Sequence, residues 1–120
     1  MTQTVLIVDD SKLARMAVIK ALNSLRPDWT RIEASNADEA LALIKQAAPD
    51  IALIDFNMPG KDGLALAAEV KQLAPQVSLA VISANHQLEV IDRARATGAA
   101  FLPKPLTEKS LSAFLNSATK

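Results

Sequence analysis

The stretch "TVLIVDDS", residues 4–11, decides the fold. An apolar run without polar alternation leads into two adjacent aspartates and then a serine. Such a run suits a strand covered on both faces. Ser11 is a good helix N-cap, and Ala14, Val18, Ala21 and Leu25 follow at helical spacing until Pro27 stops them. Related units recur along the chain. "RIEA" (31–34) is a short strand, and Asn36 with Glu39 forms a capping-box pattern before Ala40, Leu41, Ile44 and Ala48, closed by Pro49. "IALID" (51–55) precedes the breaker-rich "NMPGKDG" and a helical stripe of Leu66, Val70 and Leu73, ended by Pro75. "VSLAVIS" (77–83) precedes Leu88, Ile91 and Ala94, with Gly98 suited to the helix C-cap. "AFLP" (100–103) precedes Thr107, a cap for a last helix bearing Leu111, Phe114, Leu115 and Ala118.

Five strand–helix units in succession imply a parallel sheet with helices on both faces, a doubly wound α/β sandwich. The 120 residues fit one domain, spanning 1–120, and half of them are hydrophobic, enough for a core at this length. No motif repeats from unit to unit, so the spacing reflects βαβ units rather than a solenoid.

Composition removes several function classes. Thirteen basic and thirteen acidic residues balance, so the basic surplus of a nucleic-acid binder is absent. There is no cysteine, which excludes disulfides, thiolate metal sites and cysteine nucleophiles. Three Phe, one Trp and no Tyr leave little for stacking bases or flavin rings. The N-terminal "MTQTVLIVDD" has no basic leader, and its apolar run is too short for a signal peptide or a membrane span. A cytoplasmic protein without membrane contact is the expectation.

The polar residues that matter fall at strand ends. Asp9 and Asp10 end the first strand, Asp55 the third and Ser83 the fourth, while Lys104 follows the fifth. In a parallel sheet these ends share one edge, where ligands bind. Each residue alone has an ordinary reading as a cap, a turn or a surface lysine. Their conjunction at successive strand ends is what points to a site. Three carboxylates brought close together repel unless one is protonated or a cation sits among them. Oxygen donors without His or Cys favour a hard ion such as Mg²⁺. A lysine and a hydroxyl beside them suit a phosphoryl group, and a carboxylate can itself accept one as an aspartyl-phosphate. His86 has no ligand partner at useful spacing and reads as the solvated start of the fourth helix. Trp29 reads as cover for the loop before the second strand.

"LIVDDS", "DIALIDFNMPGKDG", "VISA" and "GAAFLPKPL", in this order along the whole chain, resemble the receiver domain of bacterial two-component response regulators, chemotaxis-type receivers included. The resemblance implies a flavodoxin-like fold with strand order 2-1-3-4-5. It implies Asp55 as the phospho-acceptor, served by a histidine kinase or phosphotransfer protein. It implies Mg²⁺ held by Asp10 and Asp55, by Asp9 through water, and by the backbone carbonyl of Asn57. Lys104 would meet the phosphoryl oxygens, Ser83 would turn toward them, and Phe101 would be the aromatic switch. A cis bond before Pro105 would aim the lysine. The implied role is a switch rather than an enzyme, acting on a downstream protein target through the fourth helix, fifth strand and fifth helix. A phosphorylation-dependent homodimer is among the implied outcomes, and direct nucleic-acid binding by this chain is not.

Three alternatives compete. A Mg²⁺-dependent aspartyl-phosphate phosphatase generally carries Asp-x-Asp after its first strand, whereas here the aspartates are adjacent. A non-phosphorylated pseudo-receiver would have lost acidic or lysine positions that this chain keeps. A flavin protein would carry a Ser/Thr/Gly-rich loop in place of "DDSKLA". Pro103 departs from the family pattern. It has no N–H to give to a ladder, so it belongs on an edge strand.

Overall fold

The computed structural model describes residues 3–58, 62–84 and 88–118. Five strands, β1 (Thr4–Val8), β2 (Thr30–Ala34), β3 (Ile51–Asp55), β4 (Ser78–Ser83) and β5 (Ala99–Pro103), alternate with five helices. These are α1 (Lys12–Leu25), α2 (Ala37–Gln46), α3 (Gly63–Leu73), α4 (Leu88–Ala96) and α5 (Glu108–Ala118). All strand pairs are parallel, in the order β2-β1-β3-β4-β5. The expected sheet and strand order are therefore the observed ones.

The uninterrupted apolar strands serve two cores at once. In β1, Val5 and Ile7 pack with Val18 and Leu22 of α1 and with Leu111 and Leu115 of α5. Leu6 and Val8, pointing the other way, join Ala40 and Ile44 of α2, Leu66, Ala67 and Val70 of α3, and Val90 and Ala94 of α4. Successive side chains leave opposite faces of a strand. A strand apolar at every position is thus the signature of two-sided cover, and each fully buried Leu or Ile contributes about 2 kcal/mol.

Caps fix where the helices begin. The Ser11 hydroxyl accepts from the Ala14 N–H (3.2 Å) and the Asp62 carboxylate from the Ala65 N–H (2.8 Å). The Thr107 hydroxyl accepts from the Ser110 N–H at 3.1 Å. Asn36 accepts from the Glu39 N–H at 2.8 Å, but Glu39 reaches back to the N–H and hydroxyl of Ser35 rather than to Asn36 itself. Hydrogen bonds from that Ser35 N–H, then its hydroxyl, hold the Glu39 carboxyl below the usual carboxylate range. Gly98 ends the fourth unit with φ 82°, the left-handed geometry that suits glycine.

Two helical stripes differ from expectation. In α4 the buried pair is Val90 and Ala94, one turn apart, while Leu88 is 76% exposed. Two residues turn a helix by about 200°, so Leu88 and Val90 cannot share a face. Leu73 at the end of α3 is also exposed. Trp29 is buried in the α1/α5 core with the Arg26 guanidinium 5.4 Å from its ring centre, so it does more than cover a loop. The expectation for His86 lies outside the described residues, as do Pro59, Gly60 and Lys61 of the turn after β3.

Candidate functional site

The sheet's C-terminal edge gathers the polar residues. Asp9 directly follows β1, and its N–H donates to the Ala34 carbonyl of β2 (3.1 Å), extending the ladder by one residue. Asp55 is the last residue of β3, opposite Ile82. Ser83 ends β4 fully buried, in register with Pro103. The Lys104 N–H donates to the Ser83 carbonyl (3.0 Å). Because ladder bonds alternate sides along a strand, the nitrogen of Pro103 falls on the open side of edge strand β5, where no donor is needed.

The carboxylates of Asp9, Asp10 and Asp55 each bring an oxygen within 4.8 Å of the other two. Asp9 and Asp55 are buried and Asp10 is exposed. The Lys104 ammonium lies 2.7 Å from Asp55 Oδ1, whose side chain is only 5% exposed. The Lys104–Pro105 peptide bond is cis. Asn57 sits exposed two residues beyond Asp55. Phe101, half-buried in the middle of β5, packs on the core covered by α2, α3 and α4. Beside the acidic cluster opens a groove of about 540 Å³, lined by Asp9, Lys104 and an apolar wall that includes Ala14, Val18, Ile82 and Leu106.

One cation among three carboxylates leaves the cluster negative. Burial pushes the Asp9 carboxyl above its usual range. The Ser11 N–H on its Oδ1 (2.9 Å) works against that, Asp55 adds to it, Lys104 opposes it, and Asp10 adds a little more. An all-oxygen donor set, two of its three carboxylates buried and with surplus negative charge, fits a hard divalent cation such as Mg²⁺.

A pH dependence follows. Asp9 holds its proton more tightly folded than unfolded, so in Mg²⁺-free buffer its contribution to stability falls as pH rises from the ordinary carboxylate pKa through its raised one. Above that window the full cost is present. Asp9→Asn is expected to remove this slope and to raise stability at neutral pH by about 1 kcal/mol. Urea titrations of both proteins at pH 4 and pH 7 check it; a variant less stable at neutral pH would contradict it.

Three participants in the geometry were not singled out in the sequence. Arg15 donates through Nη1 to the Asp9 carbonyl (2.6 Å) and through Nε to Glu33 (2.9 Å). Gly63 opens α3 directly against the end of β3, with its N–H on the Phe56 carbonyl at 2.9 Å. A Cβ there would collide with the Asp55 carbonyl oxygen and lie 2.8 Å from Phe56 Cα. The sequence signal for Gly63 is its place just after the Asp62 cap. Arg15 and Glu33 carry none without the strand register.

Residues 5–116 match the profile of the response regulator receiver domain. The chain is 35% identical over 121 residues to the positive alginate biosynthesis regulatory protein of Pseudomonas aeruginosa, covering 97% of this chain and 47% of that protein. It is 32% identical to the nitrate/nitrite response regulator NarL of Escherichia coli, covering 96% of this chain and 54% of that one. The chain thus spans about half the length of these relatives. Among solved structures, the receiver domain of the NarL-type regulator of Mycobacterium tuberculosis superposes with TM-score 0.84 at 36% identity, covering 98% and 96% of the two chains. The chemotaxis protein CheY4 of Vibrio cholerae superposes with TM-score 0.87 at 26% identity, covering 98% and 99%. Among the described residues no helix is long and apolar enough to cross a membrane. A doubly wound sheet with its acidic cluster and lysine at the carboxyl edge, and a profile match over nearly its whole length, make this chain a member of the response regulator receiver family of two-component systems.

Proposed function

We propose that this chain is a phosphorylation-driven switch, folded as one domain over residues 1–120, with Asp55 as its phospho-acceptor. The observation that carries the reading is the meeting of three carboxylates within 4.8 Å with the Lys104 ammonium 2.7 Å from Asp55. The donor is a phosphohistidine on a kinase or phosphotransfer protein. An Asp55 carboxylate oxygen attacks phosphorus, the P–N bond breaks, and its electron pair returns to the imidazole. Asp10, Asp55 and the Asn57 carbonyl would hold Mg²⁺ directly in this reading, with Asp9 acting through water. The ion supplies positive charge against the phosphoryl oxygens when bound.

Lys104 then exchanges one oxygen anion for another, moving from the carboxylate to the phosphoryl group. The Ser83 hydroxyl donates to a second phosphoryl oxygen, and Phe101 moves inward behind it. The face formed by α4, β5 and α5 changes with them, which sets affinity for a downstream protein partner or a second copy of the chain. Direct nucleic-acid contact has no support in the balanced charge, and the reading is of a cytoplasmic switch rather than an enzyme.

The test is labelling of the purified chain with acetyl phosphate or beryllofluoride, with and without Mg²⁺, read by intact mass and by NMR. A stoichiometric adduct that needs Mg²⁺ supports the proposal. No adduct at saturating Mg²⁺ overturns it.

A further inference from the structure

We propose that Arg15 is a positioning residue for the divalent-cation site, acting through the backbone of Asp9 and kept charge-neutral by Glu33. The inference rests on the reading of the acidic cluster given above.

Arg15 sits in the first turn of α1, where its N–H makes the bond to the Ser11 carbonyl at 3.0 Å. Its side chain is 14% exposed, low for an arginine so close to a helix start. Nη1 holds the Asp9 carbonyl at 2.6 Å. That carbonyl and the Asp10 N–H belong to one planar peptide unit, so fixing the oxygen fixes the direction in which Asp10 leaves β1. The other two anchors of this corner lie on the Asp9 side: its N–H on Ala34 and its Oδ1 on the Ser11 N–H. Arg15 supplies the anchor on the Asp10 side.

Glu33 completes the device. On β2, the parallel register sets Glu33 opposite Ile7 of β1, and its Oε1 accepts from Arg15 Nε at 2.9 Å. The pairing orients the guanidinium fork. Together with the nearby Glu39 carboxylate it also offsets a positive charge that would otherwise oppose an incoming cation. The corner is thereby braced without losing the negative charge that attracts the ion.

A plain surface ion pair would contribute stability and nothing to the site, and the two roles separate experimentally. Mg²⁺ affinity of the unphosphorylated chain is measured by calorimetry or NMR titration for the wild type, Arg15→Met, Arg15→Lys and Glu33→Ala, with urea stability in Mg²⁺-free buffer alongside. Arg15→Met is expected to weaken Mg²⁺ binding about tenfold, as loss of an outer support does. Glu33→Ala is expected to weaken it about threefold, the weight of a partly exposed pair. Arg15→Lys, with one donor able to reach the carbonyl, falls between wild type and Arg15→Met. Beryllofluoride adduct formation returns in every variant at saturating Mg²⁺. Unchanged affinity in Arg15→Met and Glu33→Ala overturns the proposal, whatever happens to stability. If Arg15→Met does not fold, unchanged affinity in Glu33→Ala alone overturns it. A wild type that binds no Mg²⁺ refutes the functional reading itself, and this inference with it.

Discussion

Asp55→Asn is expected to cut labelling by acetyl phosphate at least about a thousandfold, the scale of losing a nucleophile. The amide that replaces the carboxylate is neutral, and its nitrogen lone pair is delocalised into the carbonyl. Neither atom attacks phosphorus at a useful rate. Lys104 also loses the anion it meets at 2.7 Å, and the cluster drops from three carboxylates to two. The fold should survive. Asp9 and Asp10 remain to offset the ammonium, and one source of repulsion in a buried place is gone. Intact mass after incubation with acetyl phosphate and Mg²⁺ reads the result. An adduct at wild-type yield in Asp55→Asn would move the acceptor to Asp9 or Asp10 and overturn the assignment.

Gly63→Ala is expected to cost about 3 kcal/mol of stability, at the upper end for overpacking a close contact. The atoms a Cβ would strike are backbone: the Asp55 carbonyl oxygen, Phe56 Cα at 2.8 Å and the Asp55 carbonyl carbon at 2.9 Å. Backbone in a central strand does not step aside as a flexible side-chain end does. The glycine serves here by its missing methyl and not by an unusual dihedral, since the positive φ among described glycines belongs to Gly98. Relief requires the start of α3 to move off the end of β3, the residue it disturbs being Asp55. Urea unfolding should therefore shift together with a slower labelling rate. Wild-type stability in Gly63→Ala would show that the two elements separate freely.

The parts of this molecule written in local sequence were readable from it. Apolar runs without alternation marked β1, β3 and β4, the strands covered on both faces, and Ser11, Asn36 and Thr107 marked helix starts that the hydrogen bonds bear out. The site was visible for a geometric reason. Parallel strands bring their carboxyl ends together, so Asp9, Asp10, Asp55 and Lys104 converge however far apart they lie in sequence. What escaped depended on spatial partners that no local pattern encodes. Arg15 meets Glu33 only because β1 and β2 pair with Ile7 opposite Glu33. Gly63 matters only because α3 returns against its own preceding strand. The stripe assigned to α4 began two residues early because Leu88 is apolar, and an apolar residue at a helix end need not face the sheet.

The burial of Trp29 has an optical consequence. The chain holds one indole and no phenol, so its ultraviolet emission comes from a single place. That place precedes β2, at the edge of the sheet away from the acidic cluster, with the Arg26 guanidinium over the ring. The indole belongs to the α1/α5 core that also holds Val5, Ile7 and Leu22, at the end of the strands opposite the carboxylates. Its fluorescence is expected to report whether the core is intact and to change little with what the carboxylates hold. Every variant above therefore carries its own internal control, a chromophore that separates loss of fold from loss of site in one cuvette.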